Sequence, residues 1–243
     1  MGGKGSGLSP KQVRQIIINT AKRLGLKPIF KPGVILYYVP PNRVYYDHRR
    51  VYEGLTRLGC VHADDVVYEV SHEYCHHKQI EACPELFNHA ARVVRTIIKE
   101  FGFAYEIARD IIATILDAHI QSGFYRKVLP EALVGIFEKG MKKSASALLD
   151  ITRVELILLD EEDKQRITRA ICCLALFCEL PGISEAKVSE AIGCIKVFHP
   201  KALPLFEAWR NLIKKTKQVS DVCELQNLID EGLSILREYV RKL

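Results

Sequence analysis

The sequence predicts an α+β fold: one small sheet near the N-terminus and a mostly helical remainder. Three observations predict it. Two short β-branched and aromatic runs, VILYYV at 34–39 and RVYYD at 43–47, flank Pro40-Pro41-Asn42 and read as adjacent strands. From residue 49 onwards, apolar residues recur at helical spacing, punctuated by Gly and Pro. The histidines fall early, with only His199 beyond residue 121.

Taken in order, residues 1–8 are glycine-rich and are expected to form a mobile N-terminus. They lack the GK[ST] ending of a phosphate-binding loop. Ser9-Pro10 reads as an N-cap followed by a first helical residue, and Val13, Ile16, Ile17, Thr20, Ala21 and Leu24 place a helix over 10–24, closed by Gly25. Residues 28–31 offer a third strand. Helices are expected over 49–58, 63–80, 84–101, 103–121, 128–139, 144–159, 161–179, 184–197, 200–215 and 219–241, with Pro130, Pro181-Gly182, Gly193 and Pro200 as boundaries or kinks. A soft boundary near 121–128 separates a core at 9–121 from an all-helical region at 122–243.

Composition bounds the function. Hydrophobic residues make up 48% of the chain and charged residues 26%, enough for a sizeable core. The formal net charge of +6 is mildly basic. The basic runs at 48–50, 139–143 and 214–217 are short and read as solvated helix ends, so a nucleic-acid partner has only weak support. None of the eight cysteines forms a CxxC pair, which argues against a four-cysteine zinc site. Free buried thiols in a reducing compartment are expected instead, with Cys172, Cys173 and Cys178 in an apolar core. The N-terminal stretch has no apolar segment and no apolar run reaches the length of a membrane span. A soluble, cytoplasmic protein without membrane contact is the resulting expectation. Leu205, Phe206 and Trp209 are expected in a helix-packing core.

One motif carries chemistry. Residues 69–78 read EVSHEYCHHK, in which His72-Glu73-Tyr74-Cys75-His76 is HExxH. On a helix, side chains four apart share a face, so His72 and His76 can direct two imidazoles at one ion. Glu73 lies beside them, placed to take a proton from an activated water. The stretch from Ala63 to Cys83 holds no Pro or Gly, and Asp64 and Asp65 favour a helix start. Cys75 points away from the two imidazoles, and His77 and Lys78 are expected to face solvent. A third ligand must come from elsewhere; His89, Glu106, Asp110, Asp117 and His119 are the downstream candidates. Glu106 and Asp110 are four apart on a strongly apolar helix, so one can ligate while the other orients a ligating histidine.

A helix, strands, an HExxH helix and then a helix with ExxxD together resemble the gluzincin branch of the zincin-type metallopeptidases, over about half the chain. The resemblance implies a minimal zincin-like core, a small sheet backed by the HExxH helix, with one Zn2+ per chain held by His72, His76 and Glu106. It implies Glu73 as general base and Asp110 as the residue supporting a ligand. A strand preceding the helix, RVYYD or a neighbour, would bind an extended peptide. Tyr105, Arg109, His119 and Tyr125 are candidate oxyanion donors. The metzincin extension is absent, Tyr105 replaces the asparagine that often precedes the ligand glutamate, and the spacing from His76 to Glu106 is long. His89 is the rival third ligand. The expected function is a zinc-dependent peptidase or amidohydrolase acting on a peptide or protein. The alternative is a catalytically silent zincin-like scaffold that binds a protein or nucleic acid through its basic helices.

Overall fold

The computed structural model describes residues 7–59 and 62–243, so most of the expected mobile N-terminus and Cys60 lie outside the described residues. The chain is mostly helical with one three-stranded sheet, an α+β arrangement. It forms two compact units. The first comprises residues 1–81 and 124–144, and the second residues 82–123 and 145–243. A linear cut near 121–128 coincides with one of the three crossings between them.

The first unit opens with α1 (Pro10–Arg23), whose N-cap is a full capping box: the Ser9 hydroxyl and the Gln12 side chain each bond the other's backbone N–H. Three strands follow, β1 (Lys27–Phe30), β2 (Leu36–Val39) and β3 (Arg43–Tyr46). Their order is β1-β3-β2, with β3 parallel to β1 and antiparallel to β2. Alternation then divides the sheet. Leu36, Tyr38, Val44 and Tyr46 turn inward onto Val13, Ile17 and Ala21 of α1 and onto Val66 and Val70. Asp47 ends the sheet and starts α2 (His48–Arg57). One carboxylate oxygen accepts the Gly33 N–H and the other the Arg49 N–H, both at 3.0 Å. α3 (Ala63–Ala82) carries the histidine motif.

The second unit includes α4 (Glu85–Phe101) and α5 (Tyr105–His119), after which the helix widens over Ile120–Phe124. A short α6 (Tyr125–Val128) belongs to the first unit. The two helices expected over 128–139 and 144–159 are one, α7 (Glu131–Leu158), because Gly140 alone does not interrupt the backbone hydrogen-bond ladder. α7 gives its residues up to Ser144 to the first unit and the rest to the second. α8 (Lys164–Cys178), α9 (Glu185–Phe198), α10 (Leu203–Thr216) and α11 (Leu225–Tyr239) complete the chain, with short 3-10 turns at Pro200–Ala202 and Val222–Glu224. Gly193 lies inside α9 and marks no boundary.

The core of the second unit is built as expected around Leu205, Phe206 and Trp209, all buried, and the Trp209 indole donates to the Thr114 hydroxyl at 3.0 Å. Gly232 of α11 lets that helix approach closely, since a Cβ there would lie 3.1 Å from the Trp209 ring. One cysteine expectation is corrected: Cys83 and Cys223 form a disulfide between the start of α4 and the turn before α11. A pairing across 140 residues leaves no spacing signal in the sequence. Cys75, Cys172, Cys178 and Cys194 are buried free thiols, and burial pushes Cys173 up to about 12 and Cys178 up to about 11. Among the described residues no helix is long and apolar enough to cross a membrane.

Asp47 gives a test of the sheet-to-helix corner. Its carboxyl is held below the ordinary value, first by the Gly33 N–H, against an opposing effect of burial, and then by the Arg49 N–H. A depressed folded-state value means stability that is fully present above the ordinary carboxylate range and is lost as pH falls through the folded value. Asp47→Ala should therefore cost about 1 kcal/mol at neutral pH, by loss of the cap. The difference between variant and wild type should shrink as urea titrations move to acid pH.

Candidate functional site

The HExxH segment lies mid-way along α3, as its sequence requires. His72, Glu73 and His76 are all half-buried. The two imidazoles share one face, with ring centroids 4.9 Å apart and planes at 84°. Their ligand atoms lie within 4.8 Å of one another, close enough to reach a common ion. His76 Nδ1 sits 3.1 Å from the Gln79 amide oxygen. With the proton on Nδ1, that bond fixes the ring and leaves the Nε2 lone pair for a metal.

Glu73 is anchored from the sheet. The Tyr38 backbone N–H donates to Glu73 Oε2 at 2.6 Å. This is possible because β2 is an edge strand: alternate N–H groups pair with β3 and the others point out of the sheet. β3, by contrast, is paired on both sides, so RVYYD itself has no free edge to offer a peptide; of the strands available, only β1 and β2 have one. Tyr38 makes a second link. Its hydroxyl donates to the Pro41 carbonyl at 2.9 Å and lies 3.2 Å from His77 Nδ1. Burial, with Glu81 adding, pushes that hydroxyl up to about 12.

His77 corrects an expectation. It is buried, not solvent-facing, between Tyr38 and Glu81, whose carboxylate lies 3.1 Å from Nε2. Burial holds it below the ordinary histidine value, with Glu81 opposing. Lys78 is half-buried, bonded to Glu81 and set over the Tyr74 ring. The turn of helix after the motif is therefore part of the fold, not a solvated face.

The face of α3 that carries Asp65, Tyr68 and His72 is seated on the first part of α7. Lys143 donates to both oxygens of Asp65, at 3.1 and 2.9 Å, and the His62 N–H donates to the same carboxylate. One turn on, Tyr68 lies against Gly140 so closely that a Cβ there would fall 2.5 Å from the ring. Phe137 packs on Tyr68 and lies parallel to the His72 ring at 6.4 Å. Tyr125, an expected oxyanion donor, stacks on the other side of Phe137 and spends its hydroxyl on Glu138 at 2.9 Å.

The remaining candidates lie in the second unit. Glu106 and Tyr105 are exposed in the first turn of α5. Asp110 is held by Arg109 at 2.9 Å and Arg169 at 3.2 Å. His119 is buried, and Asp117 is half-buried in the last turn of α5. His89 has both ring nitrogens engaged, one by Asp230 at 3.0 Å and the other by Arg92 at 2.7 Å. Tyr38, Gln79, Phe137 and Gly140 support the motif and were not among the residues singled out from sequence. Only the inward position of Tyr38 was implicit in the strand alternation. No family model matches this sequence, and no curated protein or solved structure is similar to it.

The Gly140 contact predicts a sharp asymmetry along one helix. Gly140→Ala forces a methyl into the Tyr68 ring and should destabilise by about 1–3 kcal/mol, the usual cost of overpacking. Gly135→Ala, on the same helix with open space around it, should leave stability unchanged or raise it by up to about 1 kcal/mol through helix propensity. Paired thermal melts of the two variants check this.

Proposed function

We propose that this protein is a zinc-dependent hydrolase of peptide or related amide bonds, with His72 and His76 as ligands and Glu73 as general base. The observation that carries this reading is the pairing of two imidazoles on one helix face with a glutamate anchored by the main chain of an edge strand. A zinc ion held there would polarise the scissile carbonyl and acidify the attacking water. The Tyr38 N–H keeps one oxygen of Glu73 in place. The other takes the proton from water and returns it to the leaving amine.

His72 and His76 supply two imidazole ligands from one helix face. In the second unit, His89 is engaged at both nitrogens, Asp110 is neutralised by two arginines, and Glu106 is exposed in the first turn of α5.

Elemental analysis of the purified chain should give about one zinc per protein. His72→Ala and His76→Ala should each lose most of that zinc, and no zinc in the wild type after reconstitution would end the hydrolase reading. Glu73→Gln should retain zinc and lower turnover of a peptide library at least about 100-fold.

A second reading has one observation in its favour. The Tyr38–Glu73 bond also serves as a tie between sheet and helix, the role Glu73 would have in a zinc-bearing scaffold without hydrolysis. In that case the wild type binds zinc and cleaves nothing. Glu73→Gln, which keeps an acceptor oxygen, leaves stability intact, and Glu73→Ala lowers it.

A further inference from the structure

The two compact units differ sharply in charge. The first holds 17 lysines and arginines against 9 aspartates and glutamates. The second holds 18 against 20. A net charge that looks mild over the whole chain is therefore an excess of eight positive charges on the unit that contains the sheet, with the second unit slightly acidic.

The outer face of that sheet has an organised chemistry. Because the inward face takes Leu36, Tyr38, Val44 and Tyr46, the alternate residues point outward. In register across the three strands, Ile29, Tyr45 and Tyr37 form one row. The Tyr37 and Tyr45 rings are stacked, with centroids 5.5 Å apart and planes at 21°. Lys27 and Arg43 are register partners in the next row, on one side of the aromatics. Lys31 lies on the other, its ammonium 5.7 and 5.4 Å from the two ring centroids and 3.0 Å from the Tyr37 hydroxyl. Lys27 and Lys31 are exposed, and both tyrosines are partly so.

A stacked aromatic pair flanked by cations can extend its stack with unpaired bases: each base offers a π-face to a ring, and the backbone phosphates meet the cations. A duplex hides those base faces, so the arrangement favours a single strand. We propose that the outer face of the sheet binds single-stranded nucleic acid, with bases stacking on Tyr37 and Tyr45 and phosphates held by the exposed Lys27 and Lys31. In the free protein the Lys31 ammonium covers the rings. On a flexible, exposed stem it moves from the ring faces to a phosphate when a base takes its place. This activity is separate from the metal site, and His72→Ala should not affect it.

Fluorescence anisotropy of the full-length protein with labelled 15-nucleotide oligo-U and oligo-dT tests the proposal, beside a duplex of equal length and vesicles rich in phosphatidylserine. Single strands should bind in the micromolar range at 50 mM salt and more tightly than the duplex. Two phosphate contacts should weaken binding about sevenfold between 50 and 200 mM salt. Tyr37→Phe/Tyr45→Phe keeps the stacking faces and should bind as wild type. Tyr37→Ala/Tyr45→Ala should bind at least tenfold more weakly, with circular dichroism confirming the fold. Should the alanine variant fail to fold, Lys27→Glu/Lys31→Glu, which changes only exposed side chains, should show the same loss. Three results would overturn the proposal: no binding of either oligonucleotide at 50 mM salt, binding equal for duplex and single strand and indifferent to these substitutions, or loss of vesicle binding alone in the variants.

Discussion

The hydrogen bond from the Tyr38 main chain to Glu73 is the contact on which the first unit's architecture turns. It joins the only free edge of β2 to the middle of the histidine-bearing helix. An edge-strand N–H left bare beside a packed helix would be costly. A carboxylate is the strongest acceptor available to meet it, since charge-assisted hydrogen bonds are roughly twice as strong as neutral ones. Once this bond is made, the registry of α3 along the strand is set, and with it the direction of His72 and His76. Tyr38 reinforces the registry one helical turn further on, through its hydroxyl and His77.

Other contacts act on the remaining degrees of freedom of α3. The ion pair from Lys143 to the nearly buried Asp65 fixes the start of the helix, and the Tyr68–Gly140 contact sets its distance from α7. Apolar packing alone leaves a helix able to rotate or slide at small cost, because hydrophobic contacts are not directional. Directed polar ties and a glycine-permitted close approach remove that freedom. The second unit solves the same problem differently. Its helices close on Trp209, a large rigid ring with a single polar anchor at Thr114, and the Cys83–Cys223 bridge joins distant segments.

The secondary structure was largely legible in the sequence because local signals agreed with one another. Ser9-Pro10 marked the first helix, Pro40-Pro41-Asn42 separated the strands, and HExxH fell on a helix without Pro or Gly. What escaped was set by partners distant in sequence. His77 follows a ligand-type histidine in a polar run and reads as exposed, yet a tyrosine 39 positions earlier buries it. Gly140 carries no local signal of its role, yet it is where an aromatic ring needs space. Cys83 and Cys223 read as free thiols because nothing local marks a pairing over 140 residues. The central place of β3 was also hidden, since the strand order depends on β1 returning in parallel beside it.

The two roles open to Glu73 make the same demand on its charge. A carboxylate that accepts a main-chain N–H must present a lone pair, and the ionised form does so on both oxygens. A general base needs that same form, with one oxygen left for the proton. Under the hydrolase reading the tie would therefore not compete with catalysis, since it uses one oxygen and leaves the other. The pre-organisation also works in reverse, because a group fixed by the edge of a sheet moves with that edge. Under the hydrolase reading, the Tyr38 main chain would hold the base in place, a part that no side-chain motif encodes.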